Sequence, residues 1–307
     1  GDGARAAACV SWRLTALGEE GGKGAGGAGG RRVRDEAWRA GAVGGAGEVG
    51  EDVGTGEHAG EWRRGGQDLN GTGPGAGNRP STDFDPANCT GGNCERRAQY
   101  LQTATDLLID DLEWMVAQWG PEGDARKAVM ADGGRDGLKA IFKGLGSLSY
   151  GEMAGERMKL GLLIHDPEEE HDCFSDNTHN SHYYDVLGIR NVYLGSYERP
   201  DGTVVSGPSP SDLVRAKAPD IDARTRAALD KSMDRMDAIV KRAEGGEAYD
   251  QMIGDDNPEG NAVISAAIDA LIAQSKEFER GMAALELTDI RFEGSDSLDS
   301  PGGVTGD

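Results

Sequence analysis

The chain has 307 residues and carries 54 acidic against 32 basic side chains, a formal net charge of -22. That balance argues against nucleic acid as a partner and suits cations or a soluble exported protein. No run approaches the roughly 18 to 20 apolar residues that span a bilayer. The length suggests about two domains.

Residues 1–53 have little to bury. Of the 49 glycines, 24 fall in the first 80 residues, and backbone entropy outweighs packing in a segment such as GEEGGKGAGGAGG. A disordered or degenerate segment is expected there, with Trp38 supporting a helical turn at most. The chain does not start with Met and shows no basic end followed by an apolar stretch, so no export signal is visible. In GEHAGEWRRGGQDL, His58 and Glu61 stand three apart, which lets an imidazole and a carboxylate on one helix share an ion. The alternating Gly71, Gly73, Gly75 and Gly77 follow no strand and precede no Lys-Ser or Lys-Thr, so they predict a flexible loop and not a phosphate cradle.

Cys89 and Cys94 in CTGGNC enclose a turn with Gly91 and Gly92 that can bring their β-carbons into bonding range. A local disulfide is the expectation, and with it an oxidising compartment; two free thiols are the alternative. From Cys94 onward, Leu101, Ala104, Leu108, Leu112, Met115 and Trp119 recur every three or four residues, which predicts an amphipathic helix ended by Gly120-Pro121. A second helix is expected over 136–165, with Leu138, Ile141, Leu145 and Leu148 inward. Continuing that face reaches Glu152 and then Glu156, carboxylates that are costly on an apolar stripe unless paired or metal-bound. Arg157 and Arg126 are available partners.

Residues 165–195 concentrate the chemistry. Four of the five histidines, His165, His171, His179 and His182, lie here among Asp166, Glu168, Glu169, Glu170, Asp172, Asp176 and Asp185. Imidazole and carboxylate together form the ligand set of borderline and harder transition metals. A solvated acidic loop before a short helix is the plain alternative. Spacing favours the metal: His179 and His182 share a helical face, with Asp185 one step further. Cys173 is read as a small buried hydrophobe in preference to a ligand. A hairpin is expected around Pro200-Asp201-Gly202. Helices follow, one lined by Leu229, Met233, Met236 and Val240, the last by Ile264, Ile268, Leu271, Phe278, Met282 and Leu285. The end, GSDSLDSPGGVTGD, reads as a disordered tail over 289–307.

Taken together, GEHAGE, GQDLNGTGPGAGNRP, DFDPANCTGGNC, SYGEMAGERM, EHDCFSDNTHNSHYYDVLGIRNVYLG and AYDQMI resemble the imelysin family, also described as insulin-cleaving membrane protease-like or iron-regulated protein A-like. The resemblance covers residues 54–287. It implies an all-α exported protein of the periplasm or cell envelope, linked to iron acquisition, with two packed helical-bundle domains and a functional site where they meet. Its Gly-x-His-x-x-Glu signature maps onto Gly56, His58 and Glu61. Here Gly60, Arg63, Arg64 and Gly65 stand where inward apolar residues are expected, so the amino-terminal bundle is read as incomplete. The resulting domain organisation is 1–53 Gly-rich, 54–166 the remainder of the first bundle, 167–288 the second bundle with a small β-hairpin, and 289–307 the tail.

On this reading His58, Glu61, Asp176, His179 and Glu152 ligate ferric or ferrous iron, with zinc the alternative and room left for haem. Arg157, Ser175, His171 and His182 support them, and the partners are the ion and envelope or membrane iron-uptake proteins. A metallopeptidase of the imelysin type, with Glu61 or Glu152 as general base, is a second reading. It lacks the His-Glu-x-x-His pattern and its inverse. A non-catalytic acidic scaffold is a third.

Overall fold

The computed structural model describes residues 79–305 apart from 173 and 174. His58 and Glu61, the Gly-rich segment, the incomplete half of the first bundle, and Cys173 lie outside the described residues. The chain divides into two compact units, the first holding described residues 79–126 and the second 127–305.

In the first unit a short turn at Ser81–Phe84 leads to the bonded pair Cys89 and Cys94, and then to helix α1 (Cys94–Trp119). The CTGGNC loop needs its glycines. Gly92 sits at φ +70°, and a β-carbon on Gly91 would overlap the Asp83 carboxylate. Asp83 accepts from Thr90 at 2.6 Å and Arg79 at 2.9 Å, while Arg97 donates to the carbonyls of Asp83 (2.7 Å) and Gly92 (3.1 Å). The loop is thereby tied to the first turns of α1. The expected stripe is present on α1, but Leu101, Leu108, Leu112, Met115 and Trp119 are all exposed.

The chain enters the second unit within α2 (Asp124–Met130). One continuous helical run follows: α3 (Arg135–Ser147), a π-helix (Leu148–Lys159) and α4 (Leu160–Ile164). Next come α5 (Thr178–Leu194), the hairpin β1 (Ser196–Glu198) and β2 (Val204–Ser206), α6 (Pro210–Lys217), α7 (Pro219–Glu244), α8 (Tyr249–Ile253) and α9 (Pro258–Ala284). Two short helices, α10 (Asp296–Asp299) and α11 (Pro301–Thr305), close the chain. The described fold is therefore all-α with one antiparallel hairpin, Tyr197 opposite Val205. Its turn is the expected one: Gly202 sits at φ +80° and Asp201 accepts from the Thr203 amide at 2.8 Å.

Helix α9 packs against α7 and the π-helix, and α5 packs against α7. Two apolar clusters result. Met153, Met158, Met236, Tyr249, Ile264 and Leu271 belong to one; Phe142, Ile189, Tyr193, Leu229 and Phe278 belong to the other. Each such fully buried side chain contributes roughly 1.5–3 kcal/mol. On α7 the inward residue is Ile239, with Val240 only half-buried.

Two expectations change. Beyond Leu148 the helix winds in π-turns, whose wider spacing takes Glu152 and Glu156 off the apolar face and brings Met153, Ala154 and Met158 onto it. Residues 289–305 are ordered against the bundle: Ile290 and Phe292 pack on one cluster, Leu298 on the other, and Ser297 is buried.

Candidate functional site

Helix α4 ends at His165, whose φ of 51° turns the chain back. Its ring Nδ1 stands 2.6 Å from the Ile253 carbonyl oxygen, which pins the turn to the end of α8. After the single turn Pro167–Glu169, Glu170 points inward and is almost wholly buried. Thr178, the first residue of α5, donates its hydroxyl proton to Glu170 Oε2 at 2.8 Å and accepts from the Asp172 amide at 2.9 Å. Asp172 in turn accepts from the Ser181 hydroxyl. The acidic residues thus gather at the amino end of α5, where the helix dipole favours negative charge.

Glu170 is nevertheless held neutral at pH 7. Burial pushes its carboxyl up to about 8, against the lowering effect of the Thr178 hydrogen bond, and the charges of Asp250, Asp176 and Asp172 add to the rise. One turn into α5, His182 is completely buried. Its ring lies 6.2 Å from that of His171 and meets Tyr249 edge-on at 5.0 Å. Neither His182 nitrogen, nor the Tyr249 hydroxyl, has a hydrogen-bond partner among the described residues. Burial, then the neighbouring His171 and Arg157 charges, holds His182 well below the usual imidazole range; burial and Arg157 lower His171 as well.

A cationic bridge closes the centre. Arg157 Nε donates to Glu152 at 2.9 Å and its Nη1 to Asp185 on α5 at 2.6 Å. Burial raises the Asp185 carboxyl despite this partner. Asp250, beside Tyr249, also lines an acidic groove of about 500 Å³ with Glu247, Gln251, Asp256 and Asn257.

The second unit therefore assembles His171, His182, Arg157 and Glu152 around one helix end, with Asp176 close enough to act on Glu170 and His179 on His182. Ser175 caps only the turn, its hydroxyl 3.4 Å from the Asp172 carbonyl oxygen. His179 keeps Nδ1 buried with no hydrogen-bond partner among the described residues and Nε2 at 3.1 Å from the Asn180 amide nitrogen. Glu152 is largely turned to solvent and engaged by Arg157. Among the described residues no three His, Cys, Asp or Glu side chains form a group able to hold a metal ion. Glu170 and Tyr249 were not singled out by the sequence: one is the last of three consecutive glutamates, and only its motif AYDQMI draws attention to the other.

Fold and centre together define an all-α protein with a buried imidazole and carboxyl centre at the head of one bundle helix. Residues 31–278 match the family model described as imelysin, peptidase M75. The chain belongs to the imelysin family. No curated protein matches it. Among the described residues no helix is long and apolar enough to cross a membrane.

Proposed function

We propose that this protein is an imelysin-like component of the bacterial periplasm or cell envelope that binds iron, or another transition metal, as an accessory to iron uptake. The observation that carries this reading is His182, fully buried with both ring nitrogens unpartnered among the described residues. A buried polar atom left without a partner costs roughly 1–3 kcal/mol, so an orphan of this kind calls for a ligand. Its neutral state is the one in which imidazole ligates. His171, His179 and Asp176 lie near it in the chain, and mixed nitrogen and oxygen donors suit iron, with zinc next. His58 and Glu61 are the donors that the family signature adds.

The test is uptake by chelator-stripped full-length protein of ferrous, ferric and zinc ions, read by equilibrium dialysis with elemental analysis. About one ion per chain is expected, with affinity falling at least tenfold in His182→Phe and in His58→Ala, the range in which loss of a ligand or its support acts. Absence of stoichiometric uptake ends the reading. A second reading, a non-catalytic acidic scaffold, is favoured by the lack of any group of three donors among the described residues. It requires weak binding that salt abolishes and that neither substitution changes.

A further inference from the structure

The segment after α9 is a strap laid along the helical run, and glycines mark its path. A β-carbon on Gly146 would overlap the Phe292 ring, one on Gly151 would stand 2.5 Å from the Glu293 carbonyl oxygen, and one on Gly155 would overlap the Ser295 side chain. Strap residues 292, 293 and 295 thus meet helix residues 146, 151 and 155 in the same order, and nothing larger than glycine fits along the track. Polar contacts fasten it. The Glu293 amide donates to Ser147 Oγ at 3.0 Å, Lys143 pairs with the Glu293 carboxylate at 3.1 Å, and the Tyr150 hydroxyl donates to Asp299 at 2.6 Å.

The spacing of the track is informative. Five residues of an α-helix turn through roughly 500°, which would leave Gly146 and Gly151 about 140° apart around the axis. The wider π-turn after Leu148 is what lets the glycines face one strap. The same five-residue interval joins Glu152 to Arg157, whereas facing side chains on an α-helix stand three or four apart. Long runs of π-helix are rare, so this one needs a cause outside itself.

We infer that residues 290–299 are a register clip: seated in the glycine track, the strap holds residues 148–159 in π-turns and so positions Arg157 between Glu152 and Asp185. The strap lies outside the family match at 31–278. No metal enters this inference, so its failure and that of the metal reading are separable.

The test uses the metal-free full chain, Gly155→Ala, Gly155→Ala with Ser295→Gly, and a chain ending at Ile290. Hydrogen exchange by mass spectrometry reports on 148–159, and the Arg157 Nε–H resonance reports on the bridge. Gly155→Ala and the shortened chain should speed exchange in 148–159 about tenfold while α7 and α9 stay within about twofold, and both should shift the Arg157 signal. Ser295→Gly should restore protection to Gly155→Ala, since it removes the β-carbon in the way and weakens the helix cap by only a few tenths of a kcal/mol. Unchanged exchange in 148–159, an equal rise in α7 and α9, or no rescue overturns the inference. Should the shortened chain not fold, Gly155→Ala and its rescue decide alone.

Discussion

Thr178 donates its hydroxyl proton to Glu170 across 2.8 Å inside the second unit, yet this bond does not keep the carboxyl ionised. Folded Glu170 releases its proton near pH 8, the unfolded chain near 4.5. Between those values the folded state holds the extra proton, so stability falls as pH rises through this window and levels off above it. The full effect is on the order of 5 kcal/mol. Glu170→Gln cannot ionise and should abolish the decline, as urea unfolding at pH 5 and pH 9 will show. Parallel declines in wild type and variant would remove Glu170 as its source.

His182 gives the opposite slope. Its folded-state pKa lies well below the 6.5 of the unfolded chain, so below pH 6.5 the unfolded state takes up a proton that the folded state refuses. Stability is lost as pH falls. His182→Phe removes both orphan nitrogens and this acid limb. In metal-free protein it should be neutral or stabilising by about 1 kcal/mol at pH 7, with a larger gain at pH 5. A variant less stable than wild type at pH 5 would contradict this account.

Arg157 is partly buried and serves two carboxylates. Arg157→Ala leaves the half-buried Asp185 without compensation and should cost about 1–3 kcal/mol in thermal or chemical unfolding. Asp185→Asn in the same chain should recover part of that loss. Strict additivity of the two changes would show that the contact carries no coupling energy.

The Cys89 and Cys94 pair closes a loop of sequence separation five. Replacing both by Ser should cost about 2 kcal/mol by the loop-entropy relation, felt locally. Tryptic cleavage at Arg96 and Arg97 should accelerate under native conditions while the unfolding transition of the second unit stays in place. Equal cleavage rates with and without the bond would show that the Asp83 and Arg97 contacts suffice.

Sequence alone determined what depends on neighbours along the chain. The three-to-four rhythm from Leu138 to Leu148 and along Ile264, Ile268 and Leu271 specifies helices because side chains so spaced share a face. Pro200-Asp201-Gly202 specifies a turn, and two glycines between Cys89 and Cys94 permit their bond. Tertiary structure decided the rest. Glu152 leaves the apolar face because the helix changes its winding where Phe292, Glu293 and Ser295, about 140 residues later, lie against its glycines. Nothing in the run of three glutamates sets Glu170 apart in sequence; the fold places it beneath Thr178 beside Tyr249, where loss of water raises its pKa. The apolar residues of the final segment are too sparse to specify order by composition, and they dock because the bundle presents a groove made of absent side chains. Desolvation and helical register are set by whatever packs from afar, and no local pattern encodes them.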